Sequence, residues 1–278
     1  MNALQQLQHR YGPGEARALY EFIMQRRFGL SRTDILLGKD TTLLADDKVE
    51  LQIIVDRVAK GEPVQYVLGS EEFCGHEFLV SPAVLIPRPE TQQLVRLVEQ
   101  YLAPGSSVLD IGTGSGCIAV TLALAGYQVT AMDVSAAALA IARKNAERLG
   151  ATVVFVEGNI LLNNSSLLTS HFSLDCIVSN PPYICESEAT EMDDNVLLYE
   201  PHLALFVPNE DPLLFYRAIA DYGIQHLDDG GWLLFETNRA HCKQVGELLS
   251  QKGYREVKLF KDQYDNERFV VGSRCSAL

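Results

Sequence analysis

Val108-Leu109-Asp110-Ile111-Gly112-Thr113-Gly114-Ser115-Gly116 joins an apolar run, an acid and three alternating glycines. Val108 to Ile111 reads as a short buried strand. The glycines after it let the backbone approach a ligand more closely than any side chain would permit. Cys117 to Ala125 continues as an apolar, helix-competent stretch. A strand, a glycine turn and a helix in that order form a nucleotide-type site. The spacing is Gly-x-Gly-x-Gly, so it fits neither the dinucleotide fingerprint nor a P-loop, which needs Gly-Lys and then Ser or Thr. A second strand, Gln128 to Met132, ends in Asp133, where an acid accepts hydrogen bonds from ribose hydroxyls. No pyrophosphate contact is demanded, which suits a nucleoside carrying a sulfonium better than a dinucleotide.

Outward from that stretch, strands and helices alternate from Arg88 onward. The pattern predicts an α/β fold, a mostly parallel sheet with helices on both faces. Strands are expected near 106–110, 128–133, 152–157, 174–179, 230–236, 254–260 and 267–273. Helices are expected near 90–101, 115–125, 135–149, 211–227 and 240–252. The last two strands, joined across Asp262 to Asn266, read as an antiparallel hairpin closing a seven-stranded sheet. Residues 14 to about 68 carry helical spacing instead: Ala16, Leu19, Tyr20, Phe22 and Ile23, then Leu51, Ile53, Ile54 and Val58. Ser31 and Asp46 are expected N-caps. The division is therefore a helical bundle over residues 1–68, a hairpin linker over 69–87 and an α/β domain over 88–278. Asn163-Asn164-Ser165-Ser166 reads as a polar surface loop.

Behind the apolar run Cys176-Ile177-Val178 stands Asn180-Pro181-Pro182-Tyr183. The prolines hold the backbone extended. Proline keeps its carbonyl but has no N–H, so the turn offers acceptors without a competing donor. The Asn180 side-chain oxygen and the Pro181 carbonyl can then orient a planar NH2 group, with the Tyr183 ring stacked on its plane. Alone, such a tetrapeptide is equally a tight loop after a strand; beside the glycine turn it reads as an acceptor site next to a methyl donor.

With those residues in place, the chain resembles the class I S-adenosylmethionine-dependent methyltransferases that act on amino groups. Gly61-Glu62-Pro63-Val64-Gln65-Tyr66 and Leu85-Ile86-Pro87-Arg88-Pro89-Glu90-Thr91 are similar to the signatures of the release-factor glutamine methyltransferases. Tyr199-Glu200-Pro201, Leu203-Ala204-Leu205 and Phe215-Tyr216-Arg217 extend the likeness from about residue 15 to the C-terminus. The resemblance implies a Rossmann-like methyltransferase fold, S-adenosylmethionine as cofactor, and the glutamine of the Gly-Gly-Gln motif of a class 1 peptide-chain release factor as substrate. It assigns cofactor binding to Gly112, Thr113, Gly114, Ser115, Gly116 and Asp133. Asn159 and Ile160 take the adenine end, and Asn180 lies at the methyl. Asn180, Pro181, Pro182 and Tyr183 take the substrate, with Asn180, Pro181 and Tyr183 catalytic.

The chain departs from the family pattern in three places. Gly158-Asn159 stands where an Asp usually follows the glycine. Thr237-Asn238-Arg239 follows Phe235-Glu236 in place of Ile-Gly, and Val207-Pro208-Asn209-Glu210 replaces a glycine-rich run. The last two are expected to alter a rim loop without touching the catalytic atoms.

Bulk properties narrow the alternatives. The formal charge of −13 over 278 residues opposes a nucleic-acid surface, which needs Lys and Arg against phosphates, and suits a basic protein partner. A DNA or RNA amino-methyltransferase is the competing enzyme, and a non-catalytic cofactor-binding module the competing class. The six cysteines form no Cys-x-x-Cys pair, and His76, His171, His202, His226 and His241 share no ligand spacing, so neither a metal nor a disulfide framework is expected. The acidic cluster Glu186, Glu188, Glu191, Asp193 and Asp194 reads first as solvated surface. No stretch is long and apolar enough to cross a bilayer and no signal peptide is visible, so a cytoplasmic monomer is expected.

Overall fold

The structure, a computed structural model, describes residues 2–162 and 174–275. The Asn163–Ser166 loop and His171 lie outside the described residues. The chain forms two compact units, one of Met1–Ser70 with Met192–Tyr199, the other of Glu71–Glu191 with Glu200–Leu278.

The first unit is helical: α1 (Ala3–Gln8), α2 (Pro13–Phe28), α3 (Arg32–Leu36), α4 (Ala45–Ala59) and α5 (Val64–Leu68). Proline at the first position starts α2, and Gly29 in the left-handed region ends it. Leu7, Ala16, Ile23 and Met24 meet Ile54, Val55 and Val58 in one core. Ser31 is the N-cap expected of it, its hydroxyl accepting from Asp34 N–H at 3.2 Å. Asp46 is not a cap. Helix α4 starts two residues earlier, after Leu44, and Asp46 instead lies in the first turn, where its charge favours the positive helix end. In the Gly61-Glu62-Pro63 turn, Glu62 receives Arg57 Nε at 2.8 Å.

The second unit begins with a hairpin, β1 (Ser70–Phe73) and β2 (His76–Leu79), closed by Cys74 and Gly75, both at positive φ as a two-residue turn requires. The segment expected as a hairpin linker does form a hairpin, and from Glu71 onward it packs as part of this unit. Phe73 and Phe78 are fully buried in its main core, and Asn145 takes both the N–H and the carbonyl of Leu79 at 2.7 and 3.0 Å.

The chain continues as α6 (Thr91–Tyr101), β3 (Ser107–Ile111), α7 (Cys117–Leu124), β4 (Gln128–Asp133), α8 (Ala136–Leu149), β5 (Val153–Glu157), β6 (Leu174–Ser179), β7 (Ile184–Cys185), α9 (Asp194–Tyr199, which belongs to the first unit), β8 (Phe206–Val207), α10 (Leu214–His226), β9 (Leu227–Glu236), α11 (Cys242–Gln251), β10 (Arg255–Lys261) and β11 (Glu267–Ser273). The seven-stranded sheet has the order β10-β11-β9-β6-β3-β4-β5, with β11 antiparallel to both of its neighbours. Period-two alternation feeds two cores. Val108, Cys176, Val178 and Leu234 face one layer with α6 and α7. Leu109, Ile177, Leu233 and Phe235 face the other, with α10 and α11.

Helices α7, α10 and α11 start two or three residues later than expected. Gly112, Gly114 and Gly116 all have positive φ, so α7 opens only at Cys117 once that turn is complete. Helix α10 waits until Leu214 because an Asp211–Leu214 turn precedes it. The short parallel pair β7–β8 and helix α9 carry too few residues to show periodicity.

Gly116 has φ 80, and a Cβ there would stand 3.0 Å from the Ala142 Cβ on α8. Replacing Gly116 with Ala is expected to destabilise the fold by about 1–3 kcal/mol, combining overpacking with a left-handed backbone. A lowered urea midpoint at unchanged slope checks this; an unchanged midpoint refutes it.

Candidate active site

The chain runs outward along β3, β4 and β5, then crosses back to β6 on the other side of β3. Ligands of open α/β sheets lie at the carboxyl ends of strands around such a switch point. A cavity of about 1020 Å³, counting its open mouth, sits there. Gly112 and Gly114, Asp133, Asn159 and Ile160, and Asn180 with Pro181 and Pro182 all line it.

The backbone sets each of these groups. Met132 O accepts from Gly112 N and Thr113 N at 2.8 and 3.0 Å, tying the glycine turn to β4. Asp133 is clamped next: Gly114 N donates to Oδ2 at 2.8 Å and Ser135 N to Oδ1 at 2.9 Å. Burial pushes the Asp133 carboxyl up, while backbone N–H groups of Ser135, Gly114 and Val134 pull it down. A Cβ added at Gly112 or Gly114 would project into open space, so both glycines border room for a guest.

Thr113, Ser115 and Gly116 do not reach the cavity wall. Thr113 Oγ1 turns inward to Asp110 Oδ2 at 2.6 Å, Ser115 O accepts from Asn145 Nδ2 at 2.9 Å, and Gly116 seats α7 on α8. They shape the turn from behind. Asn159 faces the cavity, but its Oδ1 already accepts from Leu161 N at 2.9 Å, so its NH2 is the group left to offer.

Asn180 follows the last residue of β6. Its Nδ2 donates to Thr91 Oγ1 at 3.3 Å, and Thr91 donates to Glu236 Oε2 at 2.7 Å. Among the described residues no donor reaches Asn180 Oδ1 or the Pro181 carbonyl, so both acceptors are open. Tyr183 departs from expectation. Its ring does not line this cavity but packs partly buried against the core of Tyr216 and Phe235. Burial, with Glu236 nearby, holds its phenol well above the usual range. The ring goes there because Tyr183 N and Ile184 N both donate to Leu205 O, at 3.2 and 2.9 Å, turning the chain toward β8.

The segment before α6 supplies Val84 and Leu85 to the cavity, and Leu203, Ala204 and Phe215 complete its apolar wall. Glu200 fixes that segment, receiving Ile86 N at 3.1 Å and Arg88 Nη2 at 2.5 Å. Arg88 is thus a strut for the loop over the cavity, not a cap of α6. Two departures also meet here. Asn238 Nδ2 donates to Tyr183 O at 3.4 Å, and Asn209 Oδ1 accepts from Ser187 N at 2.9 Å. Both bonds are made to the segment leaving the tetrapeptide, and neither reaches the Asn180 or Pro181 acceptor.

Reading the sequence missed Thr91 and Glu236. The signal was present: Glu236 ends the apolar run Leu233-Leu234-Phe235 just as Asn180 ends its own strand, and Ser179 pairs with Phe235. An acid there is buried at the level of Asn180.

Asp110 is fully buried, and burial, with Asp133 nearby, raises its carboxyl to about 7 against a bond from Thr113. Its folded value lies above its unfolded one. Between its usual 3.8 and about 7 the folded state therefore binds more protons, and this group's contribution to stability falls as pH rises. Relative to the wild type, Asp110→Asn is expected to gain stability as pH climbs across that window. Denaturant midpoints measured for both proteins at each pH check this; a constant difference refutes it.

Comparison with known proteins identifies the family. A family model described as the PrmC N-terminal domain matches residues 1–69, and one described as a methyltransferase small domain matches residues 89–198. The release factor glutamine methyltransferase of Bacteroides thetaiotaomicron is 46% identical over 272 residues, 97% of each chain. That of Flavobacterium psychrophilum is 40% identical, covering 92% of this chain and 91% of the relative. A methyltransferase from Pyrococcus furiosus superposes with TM-score 0.55 at 18% identity over 84% of this chain and 100% of that one, a likeness of fold alone. With near full-length identity to such relatives, the class I methyltransferase sheet and the matching N-terminal domain, this chain belongs to the release factor glutamine methyltransferase family.

Proposed function

We propose that the protein methylates the side-chain amide nitrogen of the glutamine in the Gly-Gly-Gln motif of a peptide-chain release factor, using S-adenosylmethionine. The observation that carries this reading is the pair of open acceptors, Asn180 Oδ1 and Pro181 O, on the wall of the glycine-turn cavity. Two acceptors on neighbouring residues of one cavity wall suit the two N–H bonds of a primary amide.

The cavity residues fit the cofactor. Gly112 and Gly114 leave room for the amino-acid and ribose portions, and the clamped Asp133 carboxylate keeps lone pairs for ribose hydroxyls. Ile160 and Phe215 offer apolar faces to a purine, with the Asn159 NH2 beside them. Bound there, S-adenosylmethionine supplies a methyl group on a positively charged sulfur.

A glutamine amide nitrogen is a poor nucleophile because its lone pair is delocalised into the carbonyl. Holding it in line supplies much of the acceleration. Asn180 Oδ1 and Pro181 O then accept from the NH2, and both bonds strengthen as positive charge builds on nitrogen. Interactions stronger in the transition state than in the ground state are those that speed a reaction. No titrating base is needed; the surplus proton leaves to water after transfer. Tyr183 serves as a partly buried anchor of the tetrapeptide rather than as a ring stacked on the amide plane. The helical unit holds the body of the release factor, as its match to a PrmC N-terminal domain supports. The reaction is assigned to a cytoplasmic monomer, where translation supplies the substrate.

Incubation with labelled S-adenosylmethionine and, separately, a release factor and an oligonucleotide is expected to label the release factor at the glutamine. Label in nucleic acid alone overturns the reading. Asn180→Ala is expected to lower kcat on the order of 10²–10³-fold, the scale for losing one preorganised charge-stabilising group, with affinity for S-adenosylhomocysteine retained. Asp133→Ala is expected to weaken that affinity at least about tenfold, since a hydrogen bond to a charged group contributes about 1.5–3 kcal/mol. Calorimetric titration showing equal affinity would remove Asp133 from the site.

A further inference from the structure

Asn180, Thr91 and Glu236 form a directed chain. Glu236 ends β9 at 1% exposure, Thr91 opens α6 at 3%, and Asn180 follows β6. The parallel register Ser179↔Phe235 puts Asn180 and Glu236 at one level on adjacent strand ends. Thr91 Oγ1 donates to Glu236 Oε2 at 2.7 Å and receives Asn180 Nδ2 at 3.3 Å.

A threonine hydroxyl has one proton. Given to an ionised carboxylate, that proton leaves the oxygen only as an acceptor for the asparagine. The two ends of an asparagine amide have nearly the same shape, so only its partners decide which end points where. With NH2 bound to Thr91, the carbonyl oxygen faces the opposite way.

We propose that Glu236, acting through Thr91, is a positioning residue that fixes the direction of the Asn180 amide and so makes the site select an acceptor bearing NH2 over the corresponding carboxylate. This rests on the reading of Asn180 Oδ1 as an acceptor for the substrate amide. A reversed Asn180 would present NH2 to NH2, leaving the glutamine unbound, and would instead suit a glutamate.

The electrostatics around Glu236 give the relay a pH dependence. Arg268 on β11 and Arg88 before α6 favour its ionised form, and Glu90 opposes it. The Tyr183 phenol faces it from the tetrapeptide, and Tyr216 on α10 donates to its backbone carbonyl at 3.3 Å. Burial dominates and pushes the Glu236 carboxyl up to about 7. Above that value Glu236 is acceptor-only and the chain has one polarity. Below it, the protonated carboxyl can itself donate to Thr91, whose proton is then free to turn toward Asn180 and reverse the amide. Turnover therefore falls as pH drops through about 7.

The test uses the full chain with a release factor substrate and the variants Thr91→Val, Thr91→Ser, Glu236→Gln and Asn180→Ala. Thr91→Val and Glu236→Gln are expected to lower kcat on the order of 10- to 100-fold, the scale for partners that orient a functional side chain. Affinity for S-adenosylhomocysteine, by calorimetry, stays at the wild-type value. Thr91→Ser restores the rate lost in Thr91→Val, and the acid limb of the kcat profile disappears in Glu236→Gln. Binding of the Gly-Gly-Glu form of the release factor, weak in the wild type, tightens in Glu236→Gln. Wild-type kcat with an intact acid limb in Thr91→Val or Glu236→Gln overturns the relay. If Asn180→Ala is crippled in that experiment, only the relay has failed; if it also turns over normally, the acceptor reading has failed with it. Should Thr91→Val not fold, the Glu236→Gln profile and its Gly-Gly-Glu affinity decide the matter.

Discussion

The parallel alignment of β3 with β6, Val108 opposite Cys176 and Ile111 opposite Ser179, is the constraint on which the site depends. Parallel strands end on one edge of a sheet, so whatever follows each strand arrives at the same rim. The glycine turn follows β3, Asp133 ends β4, Asn180 follows β6 and Glu236 ends β9. Four chemically different groups, far apart in the chain, are thus gathered without any direct bond needing to pull them together. Ser179 Oγ donating to Ile111 O at 2.6 Å ties the two central strands at their ends, beneath the cavity.

Around that rim the fold uses buried polar groups as structural ties, a choice that costs desolvation unless every group finds a partner. Glu200 is 4% exposed and meets both a backbone N–H and the Arg88 guanidinium, 112 residues away in sequence. Asn145 is fully buried and spends its side chain on Leu79 and on Ser115 O. Glu200 holds irregular backbone beside the cavity, where no strand ladder is available to satisfy it, and Asn145 joins the end of β2 to the back of the glycine turn. Two of the signature segments in this chain, Leu85–Thr91 and Tyr199–Pro201, are thus the two halves of one such tie.

Much of this was legible in advance, for identifiable reasons. The central strands announced themselves because both faces are buried, so Cys176 to Val178 reads as a continuous apolar run and Val108 to Ile111 as one broken only by Asp110. The glycine turn and Asp133 were legible because their spacing reflects a backbone requirement. Other features were not. Tyr183 was expected over the acceptor, yet its direction is set by two N–H bonds to Leu205, a long-range pairing without local pattern. The hairpin β1–β2 looked like a linker because its sequence is half polar; Phe73 and Phe78 bury it in the core, and Asn145 binds the end of β2. Thr91 sits in a signature yet gives no hint that its partner lies 145 residues on.

The Leu205 carbonyl, which takes the N–H groups of both Tyr183 and Ile184, has a kinetic meaning for a protein whose proposed guest must come and go. Ordering a backbone residue costs about 1–2 kcal/mol of conformational entropy. Here that ordering accompanies folding, once per molecule, instead of recurring at every encounter. A substrate meeting a preformed rim need not surrender binding energy to organise it, so the complex can form fast, remain weak and release its methylated product without a long dwell.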